Sequence, residues 1–495
     1  MAKSIIDKID DIKSICRKHE VNMDSFWMDV NNRFSIRKAK DAGKREKRSG
    51  VEVMLLFQTA LSLPFFASQS IISFFSCQFK KILTHSSCSF YRFLQDERFN
   101  WRGALYEFNV QIRKSCSKGD EQSKHPKALI IDDSQLSKVG KLIEGITMVY
   151  DHVKRRSVPG YKFLALSYFD GFYSRFLDFA LVGEKKIQHK RAKKQFNKSR
   201  DSKTPAAKRK KELWKDKITL SCELVSRAVK RGFIPDYVLS DTWFTCAELI
   251  NKVRSLARGV IHFLGMIKDG KRKYLYEGRQ LKLSELKEIA KQNAKRCSRF
   301  NSRYSIIDCI IPDAGNVRLF FSRFNGTRKW VALVTTDMNM SYIKAIETYS
   351  IRWSIEIGFK EMKQLLGLGK CQANDFSSQI AHTTCVLIAH AILSDCKYRE
   401  NLKSLGDLFK GIEHQYMELL TIDKILILFE NLLISISEEL GGIKTVTVEE
   451  LLNSEKYSMF KELLKGSLSI GAIFANNTLD NDKHILTNKF KQCAA

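Results

Sequence analysis

The sequence predicts a mixed α/β chain, in which a mixed-sheet core is split by a β-rich insertion and flanked by helical regions at both ends. Three observations lead there. Short apolar runs at 128–131 and 237–240 lead straight into acidic residues, Asp132 and Asp241, as buried strands emerging at an acidic edge do. Strand-like segments recur between 259 and 336, whereas helical periodicity dominates before 125 and after 340. Apolar residues make up 44% of the 495 and prolines number only 6, so the chain can bury a large core in long regular elements and is no disordered tail.

Taken in order, residues 1–50 read as an amphipathic helix and a basic arm in which Arg33, Arg37, Lys38, Lys40, Lys44, Arg45, Lys47 and Arg48 crowd together. Arms of this kind track phosphates or stay solvated. From 51 to 125 the pattern is helical, and its stretch 63–81 fits the turn and second helix of a helix-turn-helix and equally a plain helical hairpin. Residues 54–77 are uncharged and long enough to span a bilayer, but their Ser, Thr and Gln residues and Pro64 favour two buried helices and no membrane association. After the strand at 128–131, segments 161–168 and 172–182 make a hairpin at Asp170-Gly171. The run 184–217 holds 15 Lys/Arg against 4 acidic residues and reads as an exposed loop leading into a helix, either solvated or gripping DNA. Helices are expected over 213–231, closed by Gly232, and over 245–257. Strand-like segments at 260–266, 273–276, 304–311, 317–323 and 330–335 make up the insertion, and 396–495 is helical and less basic.

Charge narrows the function. Lys and Arg number 84 against 54 Asp and Glu, and a surplus of +30 repels itself unless a polyanion relieves it. The 12 cysteines contain no C-x-x-C pair. His85 with Cys88 and His382 with Cys385 have ligand-like spacing, but neither has a second pair nearby, so the cysteines read as reduced core thiols of an intracellular protein. The first 20 residues lack an apolar h-region, and no signal peptide is expected.

The most informative stretch is 349–367. At about 100° per residue, Tyr349, Arg352, Glu356 and Lys363 share a helical stripe about 60° wide. Ile351, Ile355, Phe359, Met362, Leu365 and Leu366 project away from it, and Glu361 points well off it. A carboxylate after a first strand, another after a later strand and a third on a following helix have a chemical purpose. Two Mg²⁺ ions about 3.5–4 Å apart need hard oxygen ligands, and three carboxylates can bridge and flank them. One ion activates a water or 3′-hydroxyl, the other stabilises the leaving oxygen of a phosphodiester, and Arg352 and Lys363 would hold phosphates. Asp132 and Asp133 are neighbours on a strand and face opposite sides, so only one reaches such a site. Asp170 and Asp337 are explained by a turn and a strand end, and His152 and His262 have no partners at ligand spacing.

The spacing Tyr349-x2-Arg352-x3-Glu356-x6-Lys363 resembles the Tyr-Arg-Glu-Lys signature of DDE transposases of the insertion-sequence-4 family, and Asp132-Asp-Ser and Asp241-Thr-Trp-Phe resemble its two acidic motifs. The resemblance covers roughly 125–395. It implies a ribonuclease H-like core with its insertion between Asp241 and Glu356. The expected division is a basic arm at 1–50, a helical DNA-binding region at 51–125, the core at 126–258 and 337–395, the insertion at 259–336, and a helical, dimerising region at 396–495. Carried over, Asp132, Asp241 and Glu356 would bind two Mg²⁺, with Mn²⁺ as substitute. Tyr349, Arg352 and Lys363 would contact transposon-end phosphates, and Trp330 would support a flipped base. The implied activity is cut-and-paste transposition of double-stranded DNA between terminal inverted repeats and target. A homodimer or higher synaptic assembly in the bacterial cytoplasm, at the nucleoid, would carry it out. The alternatives are a nuclease without strand transfer and an inactive DNA-binding derivative.

Overall fold

A computed structural model describes residues 34–43, 51–65, 86–116, 123, 125–140, 142–151, 155–184, 196–399, 401–402, 404–410 and 457. Most of the expected 1–50 arm, most of the 63–81 stretch and most of the C-terminal region lie outside the described residues, although Arg37, Lys38 and Lys40 of the arm are described. The chain divides into two compact units, one of 1–37, 46–93 and 395–495, the other of 38–45 and 94–394. A short helix, α1, spans Ile36–Ala42. In the first unit α2 (Val53–Ser62) tightens into a 3₁₀ turn at Leu63–Phe65, where Pro64 cannot continue the hydrogen-bond ladder. Helix α3 (Ser87–Leu94) follows.

The second unit is built on an open mixed sheet with flanking helices, the arrangement of a ribonuclease H-like core. Helix α4 (Trp101–Cys116) leads to β1 (Ala128–Ser137), β2 (Thr147–Asp151), β3 (Arg156–Phe169) and β4 (Ser174–Val182). Helices α5 (Pro205–Glu212) and α6 (Lys217–Lys230) lead to β5 (Tyr237–Ser240), and α7 (Ala247–Arg254) to β6 (His262–Ile267). Strand β1 pairs antiparallel with β3, which pairs with β4, and on its other edge β1 runs parallel to β5, as β5 does to β6. The first four residues of β1 and all of β5 are buried, which is why both are nearly continuous apolar runs. The helix expected over 213–231 starts only at Lys217 and runs unbroken to Lys230. Asp216 caps α6 by accepting from the Thr219 amide, and α6 then buries Leu220, Leu224, Val225 and Ala228.

The insertion extends this same sheet. Strands β7 (Lys273–Tyr276) and β8 (Arg279–Lys282), α8 (Leu283–Gln292), β9 (Lys295–Cys297), β10 (Ser302–Ile311), β11 (Gly315–Phe324) and β12 (Val331–Thr335) follow β6. The order is β2-β3-β1-β5-β6-β12-β11-β10-β7-β8, with β4 beside β3 and β9 beside β10. Strand β6 falls at the start of the β-rich stretch, yet it is hydrogen-bonded to β5 and continues the parallel part of the core. Helices α9 (Tyr342–Ser350) and α10 (Trp353–Gln364) follow in this unit, as does α11 (Phe376–Arg399) up to Ser394. Helix α11 is the one described helix long and apolar enough to cross a membrane, and 94% of its apolar window is buried inside the fold. His382 and Cys385 lie within it; burial drives the imidazole pKa down to about 3 and pushes the thiol up, so the pair reads as core.

The basic run 184–217 is only partly a surface feature. Asp178 on β4 is fully buried, and its carboxylate accepts from Arg102 Nε on α4 and Arg227 Nε on α6 at 2.8 and 2.9 Å. Arg209, from the run itself, lies 3.5 Å away and donates to the Phe179 carbonyl. Glu212 closes the cluster on Arg102. Arg200 likewise turns inward, onto Glu144 and Asp375. An exposed reading of the whole run is therefore corrected: these cations neutralise buried acids.

Burial alone would raise the pKa of Asp178, but Arg102, Arg227 and Arg209 outweigh it and hold the carboxyl down to about 2. A depressed carboxyl stabilises the fold above its unfolded pKa of about 4, and that stabilisation is lost as pH falls through about 2. Asp178→Asn should cost about 3–5 kcal/mol in urea unfolding at pH 7, because it strands buried guanidinium groups. It should also flatten the acid side of the stability curve; equal stability of variant and wild type would show the cluster to be dispensable.

Candidate active site

The pairing of β1 with β5 stops at Ile131↔Ser240, while β1 continues along β3 to Ser137. Asp132 and Asp241 are the next residues of their strands, so both leave the same end of two neighbouring parallel strands, where open α/β sheets form crevices. Asp241 is fixed by a turn of its own, its Oδ1 accepting the amides of Trp243 and Phe244 at 2.9 and 3.2 Å. Asp132 Oδ1 accepts the Asp133 amide at 2.8 Å. Asp133 faces the other way, and Lys217 Nζ holds it at 3.3 Å while sitting 3.7 Å above the Trp243 ring.

The stripe expected on one helix spans two. Helix α9 ends at Ser350, α10 begins at Trp353, and the Ile351 and Arg352 amides donate three residues back, to Thr348 and Tyr349. The backbone stays right-handed helical through this tightened joint, so the four residues keep one general side. Arg352 bridges the acids: Nη1 lies 3.1 Å from Asp132 Oδ2 and Nη2 lies 2.6 Å from Glu356 Oε1. Its guanidinium also sits 5.7 Å from the Tyr349 ring centre. Lys363 Nζ donates to Ser134 Oγ at 2.7 Å, so the same face of β1 that carries Asp132 receives the end of the stripe.

Helix α10 is held by its opposite face. Ile355, Phe359 and Met362 are buried, with the Phe359 ring against Phe163 and Phe176. Glu361 meets His390 Nε2 at 3.0 Å on that side, away from the carboxylates. Asp170 and Asp337 also have structural partners, Arg175 and the Tyr237 hydroxyl. Trp330 lies half-buried just before β12 with the Arg323 guanidinium 5.9 Å from its ring centre, and no contact joins it to the three acids.

Electrostatically the crevice is unbalanced. Burial, then the neighbouring Asp241 charge, push the Asp132 carboxyl up to about 7, with Arg352 pulling the other way. Burial takes the Tyr349 phenol up to about 12, and it pulls the Lys363 ammonium down. A divalent cation would relieve the Asp132–Asp241 repulsion, and the hard carboxylate oxygens are the donors Mg²⁺ prefers. Among the described residues, however, no three acidic, His or Cys side chains converge closely enough to hold a metal ion. Glu356 is engaged by Arg352 instead. Three contributors were not anticipated from sequence: Ser134, Lys217 and Trp243. The alternation Asp132, Ser134 along one strand face was the available signal for the first.

Two family models match the chain. One, described as a DDE superfamily endonuclease, covers residues 83–265, and the other, a transposase DDE domain, covers 186–392. Asp132 falls in the first, Glu356 in the second and Asp241 in both. No curated protein matches the chain.

Gly358 tests how tightly α10 must dock. A Cβ there would lie 2.7 and 2.9 Å from two Phe176 ring atoms, inside van der Waals contact. Gly358→Ala should cost about 1–3 kcal/mol by thermal or urea unfolding. Any activity dependent on Glu356 should fall with it; unchanged stability would mean the helix has slack.

Proposed function

Since the chain carries a DDE-superfamily transposase domain, we propose that it is a DNA transposase of the insertion-sequence-4 type. On this reading it moves its element by cut and paste, through phosphodiester hydrolysis and strand transfer at terminal inverted repeats. The observation that carries the proposal is the emergence of Asp132 and Asp241 at one end of neighbouring parallel strands, with Glu356 linked to Asp132 through Arg352. Asp132, Asp241 and Glu356 would hold two Mg²⁺ ions, replaceable by Mn²⁺. When bound, the ions activate the attacking oxygen and stabilise the leaving one.

The chain's own residues set the site up for this. Arg352 neutralises Asp132 and Glu356 in a crevice otherwise crowded with negative charge. A guanidinium fork also suits phosphate oxygens, so an incoming phosphodiester competes for it, and Arg352 turning to the phosphate frees Glu356 to join the aspartates. Lys363, held at Ser134, and Tyr349 stand ready for neighbouring phosphates of the same strand. Trp330, separate from the acids, would stack on an unpaired base. Two transposon ends must be brought together, so a homodimer or larger assembly is expected to act, in the cytoplasm at the bacterial nucleoid.

A second reading is a DNA-binding derivative without catalysis, which the capture of Glu356 by Arg352 favours. One experiment separates the two. Purified protein is incubated with a DNA fragment carrying its gene and flanks, with Mg²⁺ or Mn²⁺, and strand ends are mapped at nucleotide resolution. The transposase reading expects metal-dependent cuts at two inverted flanking sites and joined products, both lost in Glu356→Gln, whose end binding persists. Tight binding without cuts under either metal supports the inactive derivative, and scattered cuts without joining support a nuclease. Arg352→Ala should weaken binding to all sequences and reduce its salt slope by about one. An unchanged slope would leave Arg352 as a partner of the acids alone.

A further inference from the structure

A row of arginines crosses the insertion. In the β9–β10 ladder Arg296 lies directly opposite Arg303, and in the β10–β11 ladder Arg303 lies directly opposite Arg323. Directly opposed residues share a sheet face, so three guanidinium groups line up on three adjacent strands. The register Ser322↔Val331 places Trp330 next in the row, and the Arg323 guanidinium lies over its ring. Arg296 and Arg303 are exposed and Arg323 is half-buried.

Like charges placed directly opposite one another oppose sheet formation, and the same pair of strands shows the ordinary arrangement. Five positions further along, Asp308 lies opposite Arg318, and the two form an ion pair at 2.7 Å. The ladder has no such relief: among the described residues none of its three arginines pairs with a carboxylate, and the nearby Glu347 is taken by Arg299. Further along β10 on the ladder's face, Ser305, Ile307 and Cys309 are buried. The arginines therefore stand where cover ends. Arg328 and Lys329 are exposed just beyond, and the stretch 259–336 as a whole carries 16 Lys/Arg against 6 Asp/Glu.

We propose that Arg296, Arg303 and Arg323 form a phosphate-binding ladder for the backbone of duplex DNA, distinct from the carboxylate site. Adjacent strands lie about 4.8 Å apart, so the ladder is about 10 Å long. One DNA strand presents a phosphate about every 3.4 Å of helix axis, so that length meets about three phosphates. Trp330 ends the row with an aromatic face beside the last guanidinium. The contacts carry no base readout; they position the duplex. That the polyanion is DNA rests on the function proposed above.

The test uses the full chain and a random-sequence duplex of about 30 base pairs without divalent metal, with binding followed by fluorescence anisotropy from low to high salt. The triple variant Arg296→Ala, Arg303→Ala, Arg323→Ala should lose at least tenfold in affinity at low salt. Its salt slope should fall by about two to three, because each phosphate contact releases about one counterion. Its melting temperature should equal or exceed that of wild type, since repulsion is removed. The charge-neutral control Asp308→Asn, Arg318→Gln should keep the wild-type slope. Should the triple variant melt lower, Arg303→Gln alone decides, with an expected slope change of about one. An unchanged slope in the triple variant, where the wild type binds and cuts DNA, overturns the ladder alone. A wild type that binds no duplex overturns the ladder and the transposase reading together.

Discussion

Asp132 and Asp241 leave neighbouring parallel strands at the same level, and the negative charge gathered there governs the rest of the site. Their strands must be apolar and continuous because both faces are covered, so neither carboxylate can retreat along its own strand. The charge must be met from outside the sheet. Arg352 meets it from a helical joint whose position depends on α10 docking Ile355, Phe359 and Met362 against the sheet. Packing of an apolar helix face and neutralisation of Asp132 and Glu356 are thus one structural problem with one solution. The close fit at Gly358, where no side chain can be added without moving Phe176, is part of it.

The same logic orders the chain's large cationic surplus. Several buried acids are met by arginines from long stretches away in sequence: Arg102, Arg209 and Arg227 come to Asp178, and Arg200 comes to Glu144. These pairs tie α4, β4, α5 and α6 to one another, so part of the basic character of 184–217 belongs to the interior. What remains on the surface is the portion able to meet a polyanion.

Much of this architecture could be read from the sequence, for physical reasons. Buried parallel strands must be apolar runs, which marked 128–131 and 237–240, and a helix docked by one face must repeat its apolar residues, which marked 349–366. The hairpin was visible at Asp170-Gly171, where Gly171 has a φ of +106°. Other features had no local signal. Nothing in Ile351-Arg352 announces a joint, since its backbone remains right-handed and only the hydrogen bonds shorten by one residue. Strand β1 runs on to Ser137 through polar text because one of its edges has lost β5, a property of the partner strand. The inward course of Arg200 and Arg209 was hidden for a similar reason: Glu144 and Asp178 lie far away in sequence, and a lysine-rich run looks solvated until its partners are placed. At the candidate site the acids, Tyr349, Arg352 and Lys363 stood out by type and spacing, whereas Ser134 and Lys217 became visible only through register and contact.

Dielectric environment explains why one arginine group is paired and another is not. Two like charges 5 Å apart repel by about 0.8 kcal/mol in water, but by about 3 kcal/mol at an effective dielectric of 20. At the mouth of the β1–β5 crevice the larger figure applies, and two aspartates without Arg352 would have to give up a proton's worth of charge; the raised pKa of Asp132 shows how close that balance is. On the outer strands the smaller figure applies, and Arg296, Arg303 and Arg323 can stand in a row at a cost the sheet tolerates. A buried cation already answered by carboxylates can be drawn away only by a better anion, whereas an exposed row gains from any polyanion. The two groups are therefore suited to different stages of one encounter, the outer row to holding a duplex in register and the inner guanidinium to responding when a phosphate arrives beside the acids.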